Sequence, residues 1–558
     1  KAFGYVVANP PFAYKSWRNG FDPEHDLYGR FDGFSIPPKK KGDFAFLLHI
    51  LKSLKSTGTG AVILPHGVLF RGNVEAEIRK NIIERGYVKG IIGLPPNLFY
   101  GTGISACIIV LDKAGAATRK GIFIVDASKG FIKDGNKNRL REQDIRKIVD
   151  TWTDKLETSK FSRFVTNEEI KKNEFNLNLP RYIDAQEVED IQDIEAHLEG
   201  GIPEADIEAL SPYWEICSTL KHSLFKTNGR KGYSEIMIES EEVKKTILNH
   251  SEFETFRKKV LAYFKKWHTP TATFLKSISN SDHPKAVIQK ISDDLLTVFS
   301  DLKLIDSYDI YQHLLAYWEE VVQDDIHIIT VDGWKAGNMI SYVITQVKAK
   351  DGKLKEKIAT GLNGLEGRLI PISLAIKTYF AKEQKCLDEL NAILEQIGVD
   401  MDAIKDEHGT EDGLLSEVID NDKVSKANVL KRTKEIKNST DDTDELAVLE
   451  KYAALFEKES DIKKEIKDAE KDLEKKVLTK YPTLSIDEIK NIVVETKWMS
   501  ELQVRILGEV DRLSQTLASR VKELAERYSK PMPEIAKEVE EIRKKVEGHL
   551  KKMGFNLK

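Results

Sequence analysis

The chain has 558 residues, a hydrophobic fraction of 41% and a formal net charge of −4, from 86 Lys plus Arg against 90 Asp plus Glu. That apolar content excludes global disorder, and the length suggests three or four domains. The balanced charge excludes a wholly basic nucleic-acid coat, so any DNA contact must be local or shared with a partner.

Residues 1–183 read as α/β. Phe3 to Ala8 (FGYVVA) is an apolar strand, and Asp43 to Leu54 (DFAFLLHILKSL) has helical spacing. Ser56 to Gly60 reads as a turn leading into a strand from Ala61 to Leu64. Asn73 to Arg85 is an amphipathic helix, and Val88 to Leu94, Ala106 to Leu111 and Gly121 to Val125 are β-rich runs. Strands alternating with helices predict a mostly parallel sheet with helices on its faces. Gly200-Gly201-Ile202-Pro203 is a turn signal and a candidate boundary, and residues 184–370 form a mixed, mostly helical region with a strand expected at Asp325 to Val331 (DIHIITV). Residues 371–558 read as a long, charged helical tail. It holds a helix over Leu446 to Leu478 and a stripe from Met499 to Tyr528 (Met499, Leu502, Ile506, Val510, Leu513, Leu517, Val521, Leu524, Tyr528). These steps of three, four and four make an eleven-residue repeat, a straight or slightly right-handed seam. Ile535, Val539, Ile542, Val546, Leu550 and Met553 mark one face of a further helix, with Pro533 expected in its first turn. Such stripes must pack on one another or on a partner.

Cys107, Cys217 and Cys386 lie far apart with no Cys-x-x-Cys spacing, which fits a reducing cytosol and gives neither a zinc site nor a disulfide framework. The histidines form no metal-binding motif, so no metal is expected. The longest apolar run, Ile104 to Leu111, is too short to span a bilayer. No signal peptide is visible, and a chain opening on Lys1 and a strand reads as one that begins inside a larger protein.

Asn9-Pro10-Pro11-Phe12 stands directly after the first strand, where α/β sheets bind ligands. Asn9 offers an amide oxygen and Pro10 a main-chain carbonyl. Pro11 removes a donor and stiffens the turn, and Phe12 offers a flat apolar face. Two acceptors beside an aromatic plate suit a planar base with an exocyclic amine: its two N–H groups are held while its lone pair points at an electrophile. A base stacked on Phe12 gains about 1–3 kcal/mol. Inside a duplex such a base is unreachable, so it must be flipped out. Adenine N6 fits, and cytosine N4 fits the hydrogen-bond logic almost equally well. The electrophile suited to an amine is a methyl sulfonium.

With this motif, residues 61–73 (AVILPHGVLFRGN), 90–112 (GIIGLPPNLFYGTGISACIIVLD), 124–142 (IVDASKGFIKDGNKNRLRE) and 174–182 (EFNLNLPRY) resemble, in order, segments of the modification subunit of type I restriction-modification systems, an N6-adenine DNA methyltransferase. The tail resembles the long-tailed form of that subunit. The resemblance implies a partial Rossmann-like sheet dependent on S-adenosylmethionine, with Asn9, Pro10, Pro11 and Phe12 as its amine-binding catalytic motif. It makes Asp43, Phe99 and Tyr100 candidates for the base pocket, the last two weighed against packing at a strand–strand turn. Arg71 and Asn73 could touch phosphate or cap the following helix, the cap being favoured for Asn73. Lys39, Lys40 and Lys41 could neutralise phosphates or form a solvated loop. Residues 1–80 carry 12 Lys or Arg and 7 Asp or Glu, a net +5.

The implied cofactor is S-adenosylmethionine, but the family's glycine-rich loop precedes the catalytic motif. Gly58 to Gly60, Gly101 to Gly103 and Gly361/Gly364/Gly367 lack the strand–glycine–helix context and read as turns. Cofactor binding is therefore expected mostly outside this chain, which supplies about four strands. Implied partners are DNA, a specificity subunit docked on the tail, a second modification subunit and, where the system has one, a restriction subunit, all in the cytoplasm. The alternatives are a non-catalytic assembly module and a methyltransferase acting on RNA or on a protein glutamine.

Overall fold

The computed structural model describes residues 1–185, 190–348, 354–410, 413–420, 423–437 and 443–555. The chain forms two compact units, one of Lys1–Lys259, Leu295–Ala316 and Glu509–Lys558, the other of Val260–Asp294 and Tyr317–Gly508.

The first unit is built on β1 (Phe3–Ala8), β2 (Leu54–Pro65), β3 (Val88–Gly93), β4 (Ala106–Asp112) and β5 (Gly121–Asp126). A hairpin of β6 (Ile132–Asp134) and β7 (Lys137–Arg139) follows, and β8 (Ser162–Thr166) closes one edge. The sheet order is β1-β2-β4-β3-β5-β8. β1 runs parallel to β2 and β3 to β5, whereas β4 is antiparallel to both its neighbours and β8 to β5. The sheet is thus mixed rather than mostly parallel, and has six strands rather than four. A short β3–β4 connection, residues 94–105, returns the chain in the opposite direction, which a run of apolar residues does not reveal.

Helix α1 (Asp43–Ser53) buries Phe44, Leu47, Leu48, Ile50 and Leu51, and α2 (Val74–Glu84) buries Ile78, Ile82 and Ile83. Both cover one sheet face over Val62, Leu64, Ile91, Ile109 and Leu111. On the other face Ile148 and Trp152 of α3 (Glu142–Asp154) pack on Phe123 and Val125. That cover does not reach β1, whose alternate residues Phe3, Tyr5 and Val7 are 49%, 86% and 83% exposed. β1 is also an edge strand, with only β2 beside it among the described residues.

Two local expectations change here. Ser56 to Gly60 is no turn; it lies inside β2 across an irregular register with β1, and a Cβ on Gly58 would come within 2.9 Å of the Phe3 carbonyl oxygen. Asn73 stands at the N-cap of α2, but at φ 55° its side chain makes no capping bond.

In the second unit Asp325 to Val331 is a helix, Gln323–Asp332, not a strand. Ile326 and Ile329 are buried, and the Asp325 carboxylate accepts from Lys497 Nζ at 2.6 Å and Trp498 Nε1 at 2.8 Å. β-branched residues suit a strand, but tertiary packing overrides so weak a preference. The helices Ala381–His408 and Thr443–Lys480 pair around Ile397, Ile404, Leu449 and Tyr452.

The two tail stripes differ. Every apolar residue from Met499 to Tyr528 in the eleven-residue repeat is at most 6% exposed. The helix Met532–Lys552, with Pro533 in its first turn, buries no residue, and Val539, Ile542 and Val546 are 58%, 58% and 50% exposed.

Candidate active site

At the carboxyl end of β1 the chain turns through Asn9, Pro10, Pro11 and Phe12. Asn9 is exposed and Pro10 half-buried. Among the described residues nothing hydrogen-bonds the Asn9 side-chain amide or the Pro10 carbonyl. Two acceptors are therefore available to an incoming amine without displacing an internal bond. Phe12 leans on Phe99, ring centroids 5.5 Å apart and interplanar angle 73°. The turn is an open corner. The hollows of about 1140 Å³ beside Lys377 and Lys467 and of about 430 Å³ beside Arg163 and Tyr182 contain none of its residues.

Phe99 lies on the connection after β3, and the β6–β7 hairpin holds that connection in place. Lys137 Nζ donates to the carbonyls of Phe99 at 2.8 Å and Thr102 at 3.2 Å, and Asn138 Nδ2 donates to the Pro96 carbonyl at 2.7 Å. Tyr100, by contrast, is 93% exposed and forms no wall with Phe12 in this chain.

Asp43 does not face an open pocket. It is fully buried at the start of α1, accepts the Ala13 N–H at 2.7 Å through Oδ1, and accepts Arg71 Nη1 at 2.7 Å through Oδ2. Arg71 is thereby engaged, with Glu75 as a second acceptor at 3.4 Å. Burial pushes the Glu75 carboxyl upward, and the nearby Arg71 and Lys41 charges oppose the shift.

The segment between the two feet of this loop is tied down. The Gly42 N–H donates to the Tyr14 carbonyl at 3.1 Å, Trp17 Nε1 to the Pro38 carbonyl at 2.9 Å, and Arg18 Nη2 to the Pro37 carbonyl at 2.7 Å. Lys39, Lys40 and Lys41 are exposed on that tied turn and form no ion pair among the described residues, though the Lys41 charge is felt at Glu75. Because Asp43 binds Ala13, the lysine turn and the Asn-Pro-Pro-Phe turn share one end of the loop.

His66 was not singled out by sequence reasoning. It follows β2, its ring sits edge-on to Phe70 at 5.8 Å, and its buried Nε2 has no hydrogen-bond partner among the described residues. Burial lowers its pKa, and the Asp126 carboxylate partly opposes that. Ala13 was also missed. Both lie inside or beside segments whose resemblance is plain, but a lone histidine or alanine carries no spacing signal.

None of the three glycine groups forms a strand–glycine–helix cradle. Gly58 and Gly60 lie within β2, Gly101 and Gly103 lie between two strands, and Gly361 opens a short 3-10 turn. The described residues thus do not fit an adenosyl cofactor by that device.

Comparison with known proteins finds its relatives among methylases. Residues 1–191 match the N-6 DNA Methylase family. Over 195 residues the chain is 34% identical to the methylase subunit of the type I restriction enzyme MpnII of Mycoplasma pneumoniae, covering 34% of this chain and 35% of that protein. Over 205 residues it is 36% identical to the MjaVII methylase subunit of Methanocaldococcus jannaschii, covering 35% of each. A solved methyltransferase subunit of a type I restriction-modification system from Streptococcus thermophilus is 39% identical, with a TM-score of 0.30, over 33% of this chain and 38% of that one. The chain therefore spans about 35% of the length of the curated relatives it matches, and the resemblance read from the sequence is borne out over its amino-terminal third.

Proposed function

We propose that this chain is part of the modification subunit of a type I restriction-modification system, a site-specific methyltransferase that transfers a methyl group from S-adenosylmethionine to N6 of an adenine swung out of the duplex. The observation that carries this reading is the pair of unengaged acceptors, Asn9 and the Pro10 carbonyl, beside Phe12, inside a segment similar to N-6 DNA methylases. The two amine hydrogens occupy these acceptors, the ring stacks against Phe12, and Phe99 backs the Phe12 ring. Held in this way the nitrogen lone pair has one direction left, and the gain is one of orientation.

In this reading the six strands belong to a Rossmann-like sheet, and the methyl donor is held mostly by residues other than those described. Lys39, Lys40 and Lys41 meet DNA phosphate beside the flipped base. Tyr100 is free to meet DNA or the base from outside. Arg71, already bound to Asp43, is the weakest phosphate candidate. The bare face of the helix Met532–Lys552 is the surface offered to a specificity subunit. A second modification subunit, a restriction subunit and the cytoplasm complete the implied setting.

The test is transfer of a labelled methyl group by the complete subunit assembled with its specificity partner. Label in N6-methyladenine of DNA supports the proposal. Label in RNA, in a protein glutamine or in cytosine overturns it.

A further inference from the structure

We propose that Asp43 is a positioning residue for the amine-holding turn, acting through the main chain of Ala13 with Arg71 as its counter-ion. This deepens the reading above and rests on it for its catalytic consequence, though not for its structural one.

Ala13 follows Phe12 directly and has φ +50°, a left-handed backbone that an alanine adopts at a cost and glycine adopts freely. Something must hold it there. The Asp43 carboxylate does so, accepting the Ala13 N–H at 2.7 Å across 30 residues of sequence. A fully buried carboxylate needs a counter-charge, which Arg71 supplies at 2.7 Å from the turn that follows β2. Arg71 is itself fixed. Its carbonyl accepts Arg79 Nη1 at 2.9 Å, and a Cβ on Gly67 would lie 2.6 Å from Arg71 Nε, so the glycine leaves room for the guanidinium. The corner after β1 is thus set by the corner after β2, through one buried carboxylate. The chemistry of such a turn depends on where two acceptors stand, and a small displacement is costly.

The experiment has two arms. In the chain itself, hydrogen exchange of the peptide spanning residues 9–16 reads the Ala13 amide without any turnover. Asp43→Ala should remove its protection, and Arg71→Lys should weaken it, while β2 to β4 peptides remain protected. In the complete methyltransferase with its specificity partner, Asp43→Asn should lower kcat roughly 10- to 100-fold, with KM for DNA changed by less than about threefold. Adding Ala13→Gly should restore part of that loss, because glycine holds φ +50° unaided. Unchanged exchange at residues 9–16 in Asp43→Ala overturns the proposal. So does an Asp43→Asn defect that Ala13→Gly does not relieve, since Asp43 would then act on the substrate directly. Should Asp43→Ala fail to fold, Arg71→Lys decides the exchange arm. A wild-type assembly that methylates no DNA overturns the methylation reading, and the exchange arm still decides the positioning claim.

Discussion

At the scale of single residues the site is a contrast between groups that are spent and groups that are free. Asp43, Arg71 and Glu75 are committed to one another, whereas Asn9 and the Pro10 carbonyl are not. In the complete enzyme Asn9→Ala should therefore abolish most methyl transfer while leaving the circular dichroism spectrum unchanged, because no internal bond is lost with the side chain. Phe12→Ala should weaken binding of the flipped base by about 1–3 kcal/mol, read as a rise in KM for DNA. His66 makes a separate prediction. Its folded pKa lies below the unfolded value, so the unfolded chain binds the extra proton first as pH falls. The first unit should lose stability as pH drops through about 6.5, levelling off only below the folded pKa. His66→Gln should flatten that slope, measured as pH-dependent exchange protection of β2. A pH response identical to wild type would refute the assignment.

At the scale of elements, two helices with similar sequence stripes have opposite fates. Leu517 is fully buried, so Leu517→Ala should cost about 2–5 kcal/mol and lower the thermal midpoint. Val539, Ile542 and Val546 are all at least half exposed, so a triple change to glutamate should leave the midpoint of the isolated chain unaltered. The same triple change should abolish co-purification with a specificity subunit. A chain that unfolds on this change, or that still binds, refutes the docking role of this face. The two stripes are indistinguishable by periodicity, since both repeat at about 3.6 residues. The strand expected at Asp325 to Val331 failed for a related reason. Apolar β-branched residues in a short run do not separate helix from strand, and the buried Lys497–Asp325 and Trp498–Asp325 bonds belong to the helical form.

At the scale of the whole molecule, charge is spread unevenly along the chain. The first 80 residues carry a net +5 within a chain of −4, so the basic character sits beside the turn. Among the described residues β1 pairs on one side only, and Phe3, Tyr5 and Val7 stand exposed on its outer face. With no strand–glycine–helix cradle among the described residues, calorimetry on this chain alone should detect no micromolar binding of S-adenosylmethionine, while the complete subunit binds it. Micromolar binding by the chain alone would show that another of its surfaces holds the donor.

The acceptors that the turn carries could be named without any structure, because they are local: four consecutive residues, two of them prolines, determine which acceptors exist and how stiffly they are carried. The strand before it and the helices around it were legible for the same reason, in the period of their apolar residues. Three features were not: the pairing of Asp43 with Arg71, the reversal of β4, and the choice of which tail stripe is covered. Each depends on segments far apart in sequence meeting in space, and burial and ion pairing are properties of those meetings rather than of any one stretch of chain.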